Sequence, residues 1–176
     1  MKKKTGPSTR SEEIILEPLS TTERVTQLSV GGQIGEGETG YNKIMYKKAL
    51  LFATEAHAGQ KRNNGNNYII HPIRVSQEVH TEVQRVCALL HDVVEDTDVD
   101  LIDIKMHFGV GIADTINCLT HRKGESYHDY ITRVLEDDDA VAVKIADICD
   151  NLSDTPSERA IEKSAQALER LAIGDN

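Results

Sequence analysis

The stretch CALLHDVVEDTD, residues 87–98, places an apolar segment directly before one histidine and four acidic residues. Its apolar positions, Cys87 to Leu90 with Val93 and Val94, have the character of a buried helix face. Acidic side chains one helical turn apart repel each other, and burial raises the cost of their charges. The stretch therefore predicts a core helix whose acidic end requires a positively charged partner.

The chain around this stretch has the pattern of a helical bundle. Apolar residues recur at helical spacing from Met45 to Ala56, and Thr81 and Gln84 form a Thr-x-x-Gln capping box at the start of the next helical pattern. From Tyr41 onward, strand signals are nearly absent. We therefore predict an all-α fold.

The first part of the chain differs from the rest in composition. Residues 1–40 combine a polar start rich in Lys, Ser and Thr with a Gly-rich end, a composition typical of loosely ordered segments. The whole chain has 176 residues, about the size of one ordinary domain. We predict a flexible N-terminal extension over 1–40 and one folded domain over 41–176.

Composition and charge disfavour several functional classes. The formal charge of −9 argues against nucleic acid and anionic membranes as main partners, although local cations can still bind a small phosphate compound. The apolar runs are too short to cross a bilayer, and no apolar signal segment follows the basic N-terminus. Cys87, Cys118 and Cys149 are predicted to be buried, reduced thiols. These observations predict a cytoplasmic location.

Four polar side chains of residues 87–98 share one helix face. Glu95 follows His91 by four residues and Asp96 follows Asp92 by four, so their side chains are expected to point toward one end of the bundle. A divalent metal would offset the negative charges, because imidazole and carboxylate groups are its usual ligands. The alternative is that these acids are simply solvated at a helix end, although the helix dipole disfavours them there.

Two other residues have settings that suit additional metal ligands. His71 lies in YIIHPIRV at a loop-to-helix junction, and Asp147 lies among apolar residues in VKIADICDNLSD. Each also has an ordinary interpretation, because His71 could simply begin a helix and Asp147 could pair with Lys144 or Arg122. Two imidazoles and two carboxylates together would form a mixed nitrogen and oxygen site, which suits Mn, Fe or Zn better than Ca.

Four blocks occur in a fixed order along the chain: HAGQKRNNGNNYIIHPIRV, ALLHDVVEDTD, HFGVGIADTINCLT and VKIADICDNLSD. In this order they resemble the HD-domain hydrolases of the RelA/SpoT type, above all the small alarmone hydrolases that stand alone. The resemblance runs from about Tyr41 to Asp154. It implies an HD-domain helical bundle and a metal-dependent hydrolase that removes the 3′-pyrophosphate from guanosine tetra- or pentaphosphate (ppGpp or pppGpp).

The resemblance also assigns roles to individual residues. The family's metal is Mn²⁺, one ion per chain, with Zn²⁺ or Fe²⁺ as alternatives, and its ligands fall on His71, His91, Asp92 and Asp147. The acids that act on the nucleophilic water and the leaving group fall on Glu95 and Asp96.

Nucleotide-binding positions of the family fall on Arg62, Tyr68 and Asn151. Lys61 and Lys144 are further candidates to hold phosphate oxygens, although Arg is favoured where two oxygens are bound at once. The expected partner is thus a small nucleotide, bound by a monomer or a homodimer.

The sequence departs from the family pattern near two of these blocks. RNNG follows the glutamine and lysine where the family has a more basic continuation, and Asn67 stands where a proline usually precedes the tyrosine. Asp150 adds an acid where the family often has an aromatic residue. Two alternatives therefore stay open: an HD phosphohydrolase acting on another nucleotide such as a dNTP, and a non-catalytic HD module that binds nucleotide.

Residues 120–133, THRKGESYHDYITR, form a second segment of interest. The segment is equally compatible with a closure over bound phosphates and with a surface loop followed by an amphipathic helix. The remaining histidines lack acidic partners at useful spacing, so we expect His57 to lie at most behind the metal ligands and the others at the surface. These others are His80, His107, His121 and His128.

Overall fold

A computed structural model of the protein describes residues 40–154 and 156–174, with side chains from residue 43 onward in that range. The N-terminal extension predicted over residues 1–40 thus lies outside the described residues, apart from the backbone of Gly40. Within the described ranges the regular structure is helical, and an isolated bridge between Lys61 and Asn67 is the one strand-type pairing. This confirms the all-α prediction.

The described part of the chain contains nine helices. In chain order they are α1 (Gly40–Ala56), α2 (Ile70–Glu78), α3 (Glu82–Leu90), α4 (Val93–Asp96), α5 (Leu101–Phe108), α6 (Val110–Leu119), α7 (Tyr127–Val134), α8 (Asp138–Leu152) and α9 (Glu158–Ile173). Among the described residues, no helix combines the length and the apolar character that a bilayer crossing requires.

Side-chain caps fix where several helices begin. The capping box predicted at Thr81 is confirmed, because its side chain accepts from the backbone of Gln84 while the Gln84 side chain accepts from the backbone of Thr81. Asp100 and Asp103 form a second capping box at α5. Between α5 and α6 the chain turns at Gly109 with a φ of 89°, a conformation that glycine adopts without steric cost.

Helix α3 lies at the centre of the bundle. The consecutive residues Val86 to Leu90 are all buried, and α3 packs against α1, α2, α6 and α8. Burial of a leucine side chain such as Leu89 or Leu90 contributes roughly 1.5–3 kcal/mol. Helices α2 and α8 also pack against each other. The carboxyl end of α3 is therefore enclosed by two neighbouring helices.

The stretch at residues 87–98 is not one continuous helix. Helix α3 ends at Leu90, and α4 begins at Val93 after a turn formed by His91 and Asp92. Both turn residues keep right-handed helical backbone angles, and the N–H of Asp96 still donates to the carbonyl of Asp92 at 2.9 Å. The turn therefore interrupts the helix at His91 and Asp92 but keeps a helical hydrogen bond across to Asp96.

The prediction of three buried thiols is wrong in part. All three cysteines are free, but Cys87 alone is buried, Cys118 is half-buried and Cys149 is exposed. Cys149 lies on α8, whose buried face passes through Val143, Ala146 and Asp147. Helical geometry turns position 149 away from that face.

Candidate active site

Three mutually packed helices bring the four predicted metal ligands together. His71 lies in the first turn of α2, His91 and Asp92 follow α3 directly, and Asp147 lies on α8. The side chains of His71, His91 and Asp147 are buried, with exposed fractions of 2%, 3% and 6%, whereas that of Asp92 is 19% exposed. We call these four residues the ligand cluster.

Both imidazoles direct Nε2 toward the two carboxylates. Nε2 of His71 lies 3.1 Å from Oδ1 of Asp147 and 3.5 Å from Oδ2 of Asp92. Nε2 of His91 lies 3.0 Å from Oδ2 of Asp92 and 3.6 Å from Oδ1 of Asp147. Ligand atoms of His71, His91 and Asp147 all lie within 4.8 Å of one another. Asp92 lies outside that group of three but places Oδ2 near both Nε2 atoms, so the ligand cluster offers two nitrogen and two oxygen donors.

Hydrogen bonds at Nδ1 fix the tautomer of each imidazole. Nδ1 of His91 lies 2.7 Å from the carbonyl oxygen of Ala88, and Nδ1 of His71 lies 2.6 Å from Oδ2 of Asp150. Both partners only accept hydrogen bonds, so Nδ1 carries the proton in each ring. In the neutral imidazole, Nε2 then keeps the lone pair that a metal requires.

One buried atom tests whether the ligand cluster fits a metal. Nε2 of His91 is fully buried and has no hydrogen-bond partner among the described residues, although Asp92 lies 3.0 Å away, outside hydrogen-bond geometry. A buried polar nitrogen without a partner is costly in a folded protein. A divalent cation would satisfy this atom. The nitrogen and oxygen donors of the ligand cluster suit Mn, Fe or Zn.

Opposite charges stabilise each other within the ligand cluster. Burial alone would lower the pKa of His91, but Asp92 and Asp147 outweigh burial and hold it well above its ordinary value. Burial opposes the charge on Asp147 as well, yet Lys144 and the two histidines hold the pKa of that carboxyl well below its usual range. A bound cation would replace protons at such a site, because metal ligands must be deprotonated.

The ligand cluster opens into a cavity of about 210 Å³. The described residues that line it include His71, Asp92 and Asp147 from the cluster, together with Tyr68, Glu95, Leu119, His121, Tyr127, Tyr130, Lys144, Asn151 and Lys163. Of the two predicted catalytic acids, Glu95 faces this cavity and Asp96 does not. Glu95 is fixed by the backbone N–H of His121, which donates to Oε2 at 2.9 Å.

Tyr68 joins the ligand cluster to Asp96. Its hydroxyl donates to Oδ2 of Asp92 at 2.6 Å and lies 3.1 Å from Oδ2 of Asp96. Behind it, the buried ring of His57 packs against the Tyr68 ring with centroids 4.7 Å apart. His57 therefore lies behind the ligands, as expected, and Asp96 is connected to the site through Tyr68.

Lys144 and Asn151 both contact the same ligand. Nζ of Lys144 donates to Oδ2 of Asp147 at 2.8 Å, and Nδ2 of Asn151 donates to Oδ1 at 2.7 Å. Burial disfavours the charge of Lys144, but Asp147 holds its pKa well above the ordinary value. Both residues also line the cavity, so each is placed to contact Asp147 and a bound molecule.

The predicted substrate residues Lys61 and Arg62 lie outside the described wall of the cavity. Nζ of Lys61 donates to Oδ1 of Asn67 at 2.5 Å. Arg62 is only 10% exposed, with Nε 2.9 Å from Oδ2 of Asp154 and Nη2 donating to Oδ1 of Asn151 at 3.0 Å. In this structure the guanidinium of Arg62 is thus engaged by side chains at the end of α8.

Several cavity residues lack a strong sequence signal. His121 was expected at the surface, but its half-buried ring lines the cavity and packs against Tyr130 with centroids 4.9 Å apart. Lys163, on α9, places Nζ 3.7 Å from the centroid of the Tyr127 ring. The aromatic residues of segment 120–133 were the sequence feature that could have indicated a closure over bound phosphates. No sequence pattern near Lys163 indicated that it lies at the cavity.

A second cavity of about 430 Å³ lies between α7 and α9. Tyr127 and Lys163 line both cavities, and the second also contains Arg159 and Arg170. Burial lowers the pKa of Lys163, and repulsion from Lys144 and Arg159 lowers it further. The region is thus locally rich in cations within a protein of formal charge −9.

Known proteins share both the sequence pattern and the fold. A family model described as HD domain matches residues 49–129. A guanosine-3′,5′-bis(diphosphate) 3′-pyrophosphohydrolase of Vibrio cholerae is 29% identical over 142 residues, which are 72% of this chain and 20% of that protein. One of the same name from Aquifex aeolicus is 33% identical over 120 residues, 60% of this chain and 17% of that protein.

The chain spans about a fifth of the length of these curated relatives. A solved structure of similar size is described as a metazoan ortholog of SpoT that hydrolyses ppGpp. It superposes with a TM-score of 0.65 at 26% identity, over 81% of this chain and 90% of that one. Residues 49–129 therefore match the HD domain, and the chain resembles ppGpp hydrolases of the SpoT type.

Proposed function

We propose that the protein is a metal-dependent hydrolase that removes the 3′-pyrophosphate from ppGpp or pppGpp, with Mn²⁺ as its metal. The observation that carries the proposal is the convergence of two imidazole nitrogens and two carboxylates at one buried point. The names of the relatives support the substrate class. Zn²⁺ and Fe²⁺ are the alternative metals, because they accept the same donors.

His71, His91, Asp92 and Asp147 would hold the metal. When bound, a divalent cation makes hydroxide available near neutral pH and withdraws charge from phosphoryl oxygens. The protein's own contribution is to present the two Nε2 atoms as lone-pair donors, through the hydrogen bonds that Nδ1 makes with Asp150 and Ala88.

Glu95 is the residue best placed to act on the attacking water. Its carboxylate lines the cavity beside Asp92 and is held by the backbone N–H of His121. A general base must lie within hydrogen-bond reach of the proton that it removes. Asp96 acts through Tyr68, whose hydroxyl contacts both Asp92 and Asp96. Water attack on the 3′ phosphorus would release pyrophosphate and leave GDP from ppGpp.

The two cavities suit a molecule that carries phosphate groups at both ends. Lys144 and Lys163 line the cavity at the ligand cluster, and Arg159 lines the adjoining one, where Arg170 already donates to the carbonyl of His128 and to Thr132. Charge-assisted hydrogen bonds from such groups are strong contacts for phosphate. A 3′-pyrophosphate would lie at the metal, with the 5′-phosphates beyond Tyr127.

The direct test is incubation of the purified chain with ppGpp and Mn²⁺, followed by measurement of pyrophosphate and GDP. We expect stoichiometric release of both products, and none with the variant Asp92→Ala. Equal results for the wild-type protein and this variant would rule out hydrolysis at the ligand cluster.

A second candidate function is hydrolysis of another nucleotide, such as a dNTP. It is favoured by the engagement of Arg62 with Asn151 and Asp154, which leaves fewer cations for a heavily phosphorylated substrate. A panel of purine nucleotides separates the two, because a dNTP hydrolase would release triphosphate and a ppGpp hydrolase would release pyrophosphate. A cytoplasmic location and a monomeric or homodimeric state remain predictions.

A further inference from the structure

We propose that Asp150 is a positioning residue for the metal ligand His71, and that Arg74 holds Asp150 in place. The proposal rests on the metal-dependent function above and identifies what supports one of its ligands.

Asp150 supports the ring of His71 from the side opposite the ligand cluster. Its Oδ2 accepts a hydrogen bond from Nδ1 of His71 at 2.6 Å, while Nε2 of that ring faces Asp147 and Asp92. The Asp150 side chain is 8% exposed. Contact with a carboxylate increases the basicity of an imidazole and fixes its orientation toward a metal.

Arg74 neutralises the nearly buried carboxylate of Asp150. Nε of Arg74 lies 2.5 Å from Oδ1 and Nη2 lies 2.9 Å from Oδ2, which is the two-pronged geometry that a guanidinium forms with a carboxylate. A carboxylate with so little exposure is costly without such a partner. Arg62 contributes a longer contact, with Nη1 3.4 Å from Oδ2.

The arrangement connects two helices through two pairs of residues. Arg74 follows His71 by three positions on α2, and Asp150 follows Asp147 by three positions on α8. Residues three apart lie on the same helix face. The Arg74–Asp150 pair therefore sets the distance between the two helices one turn away from the ligands that they carry.

The two histidines of the ligand cluster are supported in different ways. His91 relies on the neutral carbonyl of Ala88 at 2.7 Å, whereas His71 relies on a carboxylate. Hydrogen bonds with an ionised acceptor are roughly twice as strong as neutral ones. Both oxygens of Asp150 are engaged by Arg74 and His71, so Asp150 acts through His71 and not as an additional ligand.

The test is the Mn²⁺ dissociation constant of the metal-depleted full chain, measured from the electron paramagnetic resonance signal of free Mn²⁺ during titration. We expect Asp150→Ala to weaken Mn²⁺ binding by about 10- to 100-fold, as for other residues behind a metal ligand. Asp154→Ala is the matched control, because it removes an acid at the same end of α8 that contacts Arg62 but not His71. We expect its affinity to stay within about twofold of wild type.

Two further variants separate positioning from general damage to the fold. Asp150→Asn keeps the size and an acceptor oxygen but loses the charge, so we expect roughly 3- to 10-fold weaker binding. Arg74→Ala should also weaken binding, and adding it to Asp150→Ala should weaken binding no further, because Arg74 acts through Asp150. Circular dichroism in the absence of metal checks that each variant is folded.

The outcomes distinguish this proposal from the proposed function. Wild-type protein that binds no Mn²⁺, Zn²⁺ or Fe²⁺ would overturn the metal-dependent function together with this inference. Tight wild-type binding with unchanged affinity in Asp150→Asn would overturn the positioning role alone, whether or not Asp150→Ala folds. Weakened binding in Asp150→Asn beside an unchanged Asp154→Ala supports it.

Discussion

The ligand cluster and the loop of residues 60–67 are held in place by different forces. The ligand cluster lies at the packed junction of α2, α3 and α8, and three of its four side chains are buried. Most residues of the loop are exposed, and the loop is tied down by polar contacts. Arg62 contacts Asp150, Asn151 and Asp154, and Asn64 contacts Asp154.

The difference separates side chains that core packing places from side chains that polar contacts place. Core packing fixes the positions of the ligands, so a matching sequence block places them similarly. The conformation of the loop depends on a few polar partners at the end of α8, and a change there redirects a long side chain. Arg62 is an example, because Asn151 and Asp154 hold its guanidinium in this structure, while its contact with a nucleotide stays a prediction.

The largest expected effect comes from removing a ligand. Asp147→Asn keeps the size of the side chain but weakens metal coordination. We expect hydrolysis to fall by at least about 10³-fold, because the metal no longer makes hydroxide available near pH 7. Pyrophosphate release and bound metal should be measured together. Glu169→Gln, at an exposed position on α9, is the control for loss of one negative charge. If Asp147→Asn kept full activity, the ligand cluster would not be required for hydrolysis.

The two acids that we propose to be catalytic, Glu95 and Asp96, should differ in importance. Glu95 lines the cavity and Asp96 reaches it only through Tyr68. We expect Glu95→Gln to lower kcat by about 10²-fold, the lower end of a general base contribution, while Mn²⁺ affinity is retained. Asp96→Asn should have a smaller effect on kcat. Steady-state kinetics of both variants would show the opposite order if Asp96 were the base.

Removing a side chain that contacts the substrate should raise KM. We expect Lys163→Met to raise KM by about tenfold with little change in kcat, a loss of 1.4 kcal/mol of binding. Lys105→Met removes the same charge at an exposed position on α5 and serves as the control. An unchanged KM in Lys163→Met would place the substrate away from the wall shared by the two cavities.

The smallest effect tests the loop itself. If Arg62 mainly anchors the loop to α8, Arg62→Ala should lower the free energy of unfolding by roughly 1–3 kcal/mol, as for hydrogen bonds to charged groups. KM should rise only a few-fold relative to the tenfold effect of Lys163→Met. Urea denaturation and steady-state kinetics give the two quantities. A large rise in KM with an unchanged free energy of unfolding would show that Arg62 contacts the substrate directly.

Local sequence patterns predicted the features that depend on nearby residues. The helical spacing, the capping box at Thr81 and the burial of Cys87 to Leu90 and of Val93 follow from periodicity and are confirmed. Val94, also predicted to be buried, is half-buried. The setting of Asp147 among apolar residues correctly indicated a buried, paired acid. The pairing with Lys144, treated as an ordinary alternative, coexists with the position of Asp147 in the ligand cluster.

Features that depend on distant partners could not be predicted in the same way. Asp150 was interpreted as an acid added to the family pattern, and its contacts with Arg74 and His71 were not predicted. Lys163 reaches the cavity from α9 only because α9 packs against α7 and α8. Neither contact leaves a periodic signal in the sequence, because each joins residues from separate helices.

The most direct measurement is anomalous X-ray diffraction from crystals of the full chain grown with Mn²⁺. The account predicts one anomalous peak per chain, roughly 2.0–2.3 Å from Nε2 of His71, Nε2 of His91 and carboxylate oxygens of Asp92 and Asp147. A well-ordered ligand cluster without a peak, or with a peak at acids elsewhere, would contradict the claim that these three helices assemble a metal centre.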